Sequence, residues 1–198
     1  MDLYFSPLAC SLSARILLRE ADIPARFVPV DLKTKTLPGG ESFFDINPMG
    51  QVPTLRTEDG RLLTENAAIL EHLGERTGLA GADRDGLRRW LSFIATELHK
   101  GTFYPLMSPA SNDGAREFAL SGADARFKVL DDHLRGRPFL LDAFGPADAY
   151  LVAVLNWTVV TPVDLDRWAE VSRYRREMLA RPAIAAAIGE ERALYAAA

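Results

Sequence analysis

The chain has 198 residues, of which 48% are hydrophobic and 25% are charged, and its formal net charge is −4. This composition is typical of a folded globular protein and lacks the basic excess of a nucleic-acid-binding chain. The single cysteine excludes an internal disulfide framework and a multi-cysteine metal site. No signal peptide or membrane-spanning apolar run is recognisable, which predicts a cytoplasmic protein without a membrane or nucleic-acid partner.

The first part of the chain alternates strand-like and helix-like segments, as α/β domains do. The predicted elements, in chain order, are a strand at 3–5, a helix at 11–21, a strand at 26–32, a hairpin at 54–57 and 62–64, and a helix at 65–76. Pro29 places the second strand at a sheet edge, because proline cannot donate a ladder hydrogen bond. Asp59-Gly60 is a strong turn signal between the two hairpin strands. In the last helix Ala68, Ile69 and Leu73 are expected to face inward.

The chain after a glycine-rich and charged stretch at 74–86 is helical in character. A helix at 85–107 carries one apolar stripe, consisting of Leu87, Trp90, Leu91, Ile94 and Leu98. Further helices are predicted at 115–134, from 146 through 157, at 166–180 and at 182–195, with residues 195–198 fraying. The helix that starts at Pro146 is apolar nearly all round, so it is expected at the centre of its domain. We therefore predict two domains, residues 1–77 and 85–198.

Cys10 is the first candidate for chemistry, because it directly precedes a predicted helix. The positive end of the helix dipole and the free backbone N–H groups there stabilise a thiolate and lower the thiol pKa. A buried, inert cysteine that acts as a small hydrophobic residue is an equally weighted alternative. The neighbouring Ser11 is either a donor to a sulfur ligand or a helix cap.

Three further sites carry weaker signals. Glu65-Asn66 opens a helix and could hold an amino-acid end of a ligand, although ordinary capping is the better interpretation from the residues alone. Ser92 and His99 lie seven residues apart and are expected on nearly the same side of one helix, where a hydrogen-bonded structural His99 is the more common case. Lys35 could meet a carboxylate or simply be solvated.

Several motif-defined classes are absent. The sequence has no phosphate-binding loop, no G-x-G-x-x-G, no H-E-x-x-H, no EF-hand loop and no nucleophile elbow. His72, His99 and His133 are too scattered to suggest a ligand cluster, so no metal is expected.

The order of the motifs resembles the bacterial beta-class cytosolic glutathione transferases over essentially the whole chain. The segments that carry the resemblance are Tyr4-Phe5-Ser6-Pro7-Leu8-Ala9-Cys10-Ser11, Asn47-Pro48-Met49-Gly50-Gln51-Val52-Pro53, Leu63-Thr64-Glu65-Asn66-Ala67, Ala95-Thr96-Glu97-Leu98-His99-Lys100-Gly101 and Ala147-Asp148-Ala149-Tyr150. The resemblance implies an α/β thioredoxin-like N-terminal domain, an all-α C-terminal domain and a homodimer. It also implies glutathione as cosubstrate.

The resemblance assigns roles to matching residues. Cys10 matches the active-site cysteine, and His99 matches a histidine beside the sulfur. Val52 matches the residue whose backbone pairs with the cysteinyl part of glutathione, Pro53 matches the cis proline behind it, and Gln51 precedes them in the same motif. The remaining predicted glutathione-binding residues are Glu65 and Asn66 at the γ-glutamyl end, Lys35 at the other end of the peptide, and Ser92.

Four departures from the family pattern stand out. Phe5 replaces a frequent Tyr, Ser92 replaces a common Asn, and Gly145 replaces the Ser or Thr that caps the central helix, which leaves Asp148 to form half of a capping box. The stretch at 101–105 is one residue longer than usual and is expected to reshape the substrate pocket.

The leading hypothesis is a glutathione transferase that conjugates glutathione to small hydrophobic electrophiles and also performs thiol–disulfide exchange through Cys10. An apolar groove between the domains, lined by Leu8, Phe103, Tyr104 and Met107, would take the second substrate. A catalytically weak glutathione-binding or stress-response protein is the alternative from another class. A glutathione-dependent isomerase or dehalogenase is a third hypothesis, since one fold hosts several reactions.

Overall fold

Four short strands form one mixed sheet in the computed structural model, which describes residues 1–197. The strands are β1 (Asp2–Phe5), β2 (Arg26–Pro29), β3 (Thr54–Arg56) and β4 (Leu62–Leu63). Their order is β2-β1-β3-β4, with β1 parallel to β2 and antiparallel to β3, and with β3 antiparallel to β4. The second strand lies at the sheet edge and the hairpin forms, as the sequence predicts, but the strand ends at Pro29 and not at 32.

Two helices, α1 (Leu12–Glu20) and α2 (Asn66–Thr77), complete the thioredoxin-like part. They pack against each other, and α1 also contacts the helical part of the chain. Ile69 and Leu73 of α2 are buried as predicted, but Ala68 is exposed, because it lies on the solvent side of the helix. The expectation for Ala68 was therefore wrong.

The helical part follows a linker between the end of α2 at Thr77 and the next helix at Arg84. Its elements are α3 (Arg84–Phe93), a π-helix (Ile94–Phe103), α4 (Tyr104–Met107), α5 (Asp113–Leu134), α6 (Pro146–Leu155), α7 (Ala169–Leu179) and α8 (Pro182–Ala196). Among residues 1–197, no helix is both long enough and apolar enough to cross a membrane. The α/β thioredoxin-like fold followed by a helical domain is confirmed.

Several predicted helix ends differ from the structure; for example, α5 begins at Asp113 and not at 115, and α6 ends at Leu155 and not at 157. The helix expected from 166 begins only at Ala169, because Leu165–Arg167 forms a separate 3-10 turn and the backbone is extended at Trp168. The helix at the end of the chain continues through Ala196, so the predicted fraying is wrong at 195–196. Ala198 lies outside the described residues.

The central helix is α6, and all of its residues are buried. The Asp148 carboxylate accepts hydrogen bonds from the backbone N–H of Gly145 (3.1 Å), from the backbone N–H of Leu140 (2.9 Å) and from the Tyr174 hydroxyl (2.8 Å). The predicted half of a capping box at Asp148 is therefore present. Burial outweighs these contacts and raises the pKa of Asp148 to about 6.

One hydrophobic core extends through both parts of the molecule. Buried residues of β1, α1 and α2 belong to the same cluster as those of α3, α5, α6, α7 and α8. The helix α1 lies at the centre of this arrangement, since it packs on α2, α6 and α8. The division of the chain into domains 1–77 and 85–198 stays a prediction, because the core itself shows no boundary there.

Candidate functional site

The segments that the sequence singled out meet beside the start of α1. The Cys10 thiol donates a hydrogen bond to the carbonyl oxygen of Val52, and the Sγ–O distance is 3.4 Å. The peptide bond between Val52 and Pro53 is cis, as the sequence resemblance implies. This contact joins the loop that precedes α1 to the segment that enters β3.

Cys10 is buried, and its thiol is protonated in the free protein. Burial raises the pKa of Cys10 to about 12, whereas the positive charge of Lys100 and the backbone N–H groups of Cys10 and Ser11 lower it by less. The backbone N–H groups at the helix start lower this pKa as expected, but by less than burial raises it, so the net shift is upward. Lys100, which no sequence argument selected, supplies the largest of the opposing effects.

Ser11 stabilises the loop before α1. Its side chain is fully buried, and its hydroxyl donates to the carbonyl of Ser6 (3.2 Å) and accepts from the N–H of Ser6 (3.3 Å). It makes no side-chain cap on α1 within the described structure. The helix-cap interpretation of Ser11 is therefore corrected to a loop contact, and its role as donor to a sulfur ligand stays a prediction.

Ser13 is a polar contact that sequence reasoning missed. Its hydroxyl donates to the carbonyl of Cys10 (2.6 Å) and accepts from the Asn66 side-chain amide (3.0 Å). Asn66 is thereby turned inward and is only 7% exposed. The predicted contact of Asn66 with the γ-glutamyl end of a ligand stays a prediction, and the structure adds that its side chain binds Ser13.

Glu65 has the opposite environment. Its side chain is exposed, and its backbone φ angle is 66°, in a region that costs a non-glycine residue about 1 kcal/mol or more. Its carbonyl begins α2 by accepting from the N–H of Ile69 (3.0 Å). The side chain makes no capping hydrogen bond, so the ordinary capping role that the residues alone favoured is not the one observed. The strained backbone instead holds a carboxylate in solvent at a helix N-terminus.

The turn before Val52 is held from two sides. The Lys35 ammonium donates to the carbonyl of Gly50 at 2.8 Å, so Lys35 lies beside the site and is not merely solvated. The buried Asn47 side chain donates to the carbonyl of Gln51 at 2.8 Å, while the Gln51 side chain is exposed. Asn47 is a further supporting residue, and its place in the motif shared with Gln51 is the sequence signal for it.

Ser92 and His99 do not share a side of their helix. Ser92 is exposed near the end of α3, whereas His99 is half-buried within the π-helix. A π-helix has more residues per turn than an α-helix because its hydrogen bonds run from i to i+5, so a seven-residue spacing no longer returns to the same face. The expectation that Ser92 and His99 project together was therefore wrong.

His99 is a neutral, hydrogen-bonded side chain. Its Nδ1 lies 2.8 Å from the Tyr150 hydroxyl, and its ring packs on Trp157 with centroids 4.9 Å apart. Burial, assisted by the charge of Lys100, lowers the pKa of His99 to about 4. His99 is therefore a neutral imidazole and not an imidazolium near neutral pH, which agrees with the hydrogen-bonded structural histidine that the spacing favoured.

The expected groove residues have different exposures. Phe103 is fully buried against Phe127 and Trp157, so it cannot line an open groove. Tyr104 is 52% exposed and Met107 is 37% exposed. Phe103 ends the π-helix, and the wider winding of that helix directs it into the core.

Tyr4 and Phe5 belong to different hydrophobic clusters. Neighbouring residues of a strand point to opposite faces, and Tyr4 packs with Val30 and Phe43 in a small separate cluster. Phe5 belongs to the main core, where the Arg15 guanidinium lies 4.4 Å from its ring centroid. Tyr4 therefore lies on the opposite face of β1 from Phe5, in a cluster against which Val52 of the site packs.

Comparisons with known proteins agree with this geometry. The glutathione S-transferase N-terminal domain family matches residues 9–76. The chain is 35% identical over 199 residues to glutathione S-transferase GstA of Escherichia coli O157:H7, covering 96% of this chain and 98% of that protein.

Solved structures show the same likeness over the full fold. A sphingomonad glutathione S-transferase complexed with glutathione has a TM-score of 0.90 and 37% identity, with 96% of this chain and 98% of the other covered. The bacterial beta-class glutathione S-transferase of Sphingomonas chungbukensis has a TM-score of 0.90 and 35% identity, with the same coverage of 96% and 98%. The chain therefore belongs to the glutathione S-transferase family and is similar, within it, to the bacterial beta class.

Proposed function

We propose that this transferase conjugates glutathione to small hydrophobic electrophiles in the cleft beside Cys10. The observation that carries the proposal is the 3.4 Å contact between Cys10 Sγ and the Val52 carbonyl, with the exposed Glu65 carboxylate at the start of α2. An extended peptide that pairs with the backbone of Val52 would place its own thiol near Cys10. Glutathione is such a peptide, and a sphingomonad relative is known in complex with it.

Charged groups of the protein complement the charges at both ends of glutathione. The Glu65 carboxylate would bind the ammonium of the γ-glutamyl end, and the N-terminus of α2 would bind the carboxylate beside it. Lys35 would bind the opposite carboxylate, exchanging its present contact with the Gly50 carbonyl. In this proposal Gln51 and Pro53 shape the segment around Val52. Asn66 acts by holding Ser13, and Ser92 reaches the ligand only through water.

The nucleophile is the glutathione thiolate and not Cys10. The high pKa of Cys10 keeps its own thiol protonated, so it can donate a hydrogen bond to a neighbouring sulfur. The glutathione thiolate attacks the electrophilic carbon, the new C–S bond forms, and the leaving group departs with the electron pair. The positive charge of Lys100, which opposes the desolvation of Cys10, also favours an anionic sulfur at this place.

The proposal includes thiol–disulfide exchange through Cys10 as a slower companion reaction. A Cys10 thiolate would attack a disulfide sulfur, form a mixed disulfide and release the other sulfur as a thiolate, and glutathione would then resolve the mixed disulfide. The raised pKa of Cys10 predicts that this first attack is slow. Cys10→Ser would abolish the exchange and leave conjugation at a measurable rate.

The proposal also includes an oligomeric state and a location in the cell. We expect a homodimer that acts in the cytoplasm in detoxification. Large apolar side chains that are exposed in the single chain, such as Met49 (69%) and Phe118 (72%), support an interface with a second copy. Sedimentation equilibrium of the purified protein tests the dimer directly.

Titration calorimetry with reduced glutathione tests the proposed site. We expect a Kd between about 1 µM and 1 mM, and about tenfold weaker binding for Glu65→Gln, because a charged hydrogen bond is lost. Glu58→Gln is the matched control, since Glu58 is an exposed carboxylate on the hairpin that pairs with Arg76. Absent binding, or equal weakening by both variants, would refute the site.

Turnover separates the transferase from a binding protein of the same fold. The purified protein is assayed with an activated aryl halide, a peroxide and a mixed disulfide, each with reduced glutathione. Conjugation of the aryl halide is the expected result. Glutathione binding without turnover of any of the three would favour the binding or stress-response alternative.

A further inference from the structure

The loop that leads to Cys10 is hydrogen-bonded to the helical domain at Leu8. The Leu8 N–H donates to Glu191 Oε2 at 2.7 Å, and the Leu8 carbonyl accepts from Trp157 Nε1 at 2.9 Å. Glu191 lies on α8, and Trp157 lies in the 3-10 turn that follows α6. Both peptide groups of one loop residue, two positions before Cys10, are thus bound by distant parts of the chain.

Leu8 does not favour this conformation by itself. Its φ angle is 60°, in the left-handed region that costs a leucine about 1 kcal/mol or more. Such a conformation persists only when surrounding contacts impose it. The two hydrogen bonds to the helical domain are contacts of this kind.

Glu191 is fixed in place. It is fully buried, and its Oε1 lies 2.9 Å from the Nε of Arg15 on α1. Arg15 also pairs with Glu190 at 3.1 Å, and its guanidinium lies 3.9 Å from the ring centroid of Phe27. The acceptor for the Leu8 N–H is therefore anchored to the same helix that Cys10 precedes.

Trp157 is fixed by aromatic packing. Its indole ring lies 4.9 Å from the centroid of His99 and 5.7 Å from that of Phe103, and only 7% of the residue is exposed. The donor for the Leu8 carbonyl therefore belongs to the rigid π-helix and α6 region. Leu8 is therefore hydrogen-bonded to two buried side chains, Glu191 and Trp157. We call this pair of hydrogen bonds the clamp.

We propose that Glu191 and Trp157 are positioning residues, through which the helical domain sets the loop at Leu8 and thereby the place of Cys10 and of a sulfur bound beside it. The inference rests on the proposed transferase function for its kinetic consequence. Glutathione would still bind through Val52 and Glu65, which the clamp does not touch. Loss of the clamp should therefore lower kcat and leave the affinity for glutathione nearly unchanged.

Trp157→Phe tests the donor, because it removes the indole N–H and retains an aromatic ring. Trp168→Phe is the matched control, since Trp168 is buried to the same degree (8% exposed), stacks on Phe127 and makes no contact with Leu8 in the described structure. We expect Trp157→Phe to lower kcat about tenfold with the glutathione Kd within about twofold, and Trp168→Phe to leave both within about twofold. Equal kcat in the two variants would overturn the proposal.

Glu191→Gln tests the acceptor, since glutamine retains a carbonyl oxygen for the Leu8 N–H, and Glu191→Leu removes it. We expect Glu191→Gln to retain most of the kcat that Glu191→Leu loses. Thermal unfolding of each variant identifies those that fail to fold. If the conservative variant rescues nothing, Glu191 does not act through Leu8.

A second measurement does not depend on turnover. The rate at which iodoacetamide alkylates Cys10 in the native protein should rise in Trp157→Phe and stay unchanged in Trp168→Phe, because only the first releases the Cys10 loop. If the wild-type protein bound no glutathione or turned over no electrophile, the proposed function would fail, and this rate would still test the clamp. Equal alkylation rates in both variants would refute it.

Discussion

The carbonyl oxygen of Leu79, in the linker between α2 and α3, lies 2.8 Å from the position that a Cβ atom on Gly145 would occupy. A real Cβ atom does not approach a backbone oxygen so closely without displacing it. The linker therefore passes over the start of α6 at a distance that only glycine permits. This contact accounts for glycine at position 145, where the sequence resemblance leads one to expect Ser or Thr.

Gly145→Ala should destabilise the protein by about 1–3 kcal/mol, because Leu79 or α6 must shift. Gly189→Ala is the control, since Gly189 lies in the exposed interior of α8 with nothing within 4 Å of an added Cβ. The control should stabilise the protein by up to about 1 kcal/mol through helix propensity. Urea unfolding of both variants measures the difference, and equal unfolding free energies would contradict the contact.

Cys10 in the free, native protein should react slowly with iodoacetamide. With its pKa raised to about 12, the thiolate fraction at pH 8 is far below that of an ordinary thiol. We expect alkylation at least about 100-fold slower in the native protein than in the same protein unfolded in urea. Free glutathione in the same two solutions controls for the effect of urea, and similar native and unfolded rates would show that the thiol is not suppressed.

Titration of His99 should produce no inflection in the pH–rate profile between pH 5 and 8. Its pKa is lowered to about 4, so it stays neutral over this range. His99→Gln should lower activity by loss of the Tyr150 contact and leave the shape of the kcat/KM profile unchanged. An inflection near pH 6 that disappears in the variant would contradict this assignment.

The lowered pKa of His99 also makes the free energy of unfolding depend on pH. Since the folded-state pKa lies below the unfolded value of 6.5, the unfolded chain binds the proton more tightly. The stabilising contribution is fully present above pH 6.5 and is lost as the pH falls towards 4. Chemical unfolding from pH 4 to 7 should therefore show a weaker pH dependence for His99→Gln than for the wild type.

Asp148 should act on stability in the opposite direction. Burial raises its pKa to about 6, above the ordinary value of 3.8, so the folded protein holds this proton more tightly than the unfolded chain. The wild type should lose stability relative to Asp148→Asn as the pH rises from about 4 to 6, by at most about 1.4 kcal/mol per pH unit. A deficit of Asp148→Asn that is independent of pH would contradict the raised pKa.

The order of strands and helices followed from local patterns. Pro29 marked the edge strand and Asp59-Gly60 marked the hairpin, because each acts through its own backbone. The residues Val52 and Pro53 were recognised from a contiguous motif. Such signals need no knowledge of distant residues.

The remaining features depend on contacts between distant residues. Glu191 and Leu8 are 183 positions apart, so no local pattern connects them. The apolar stripe at Leu87 to Leu98 is compatible with both α and π winding, so the α-helical spacing gave the wrong side for His99. The pKa of Cys10 depends on how deeply its thiol is buried, and this burial is known only from the folded structure.

The continuous core has a consequence for how the molecule unfolds. Since α1 packs on α2 and equally on α6 and α8, removing the helical half would expose the apolar face of the helix that supports β1 and the active-site loop. We therefore expect the two halves to unfold together in one transition, although each has the outline of a domain. A protease that cuts the linker at 78–83 would produce two fragments that remain associated, since neither holds a complete core.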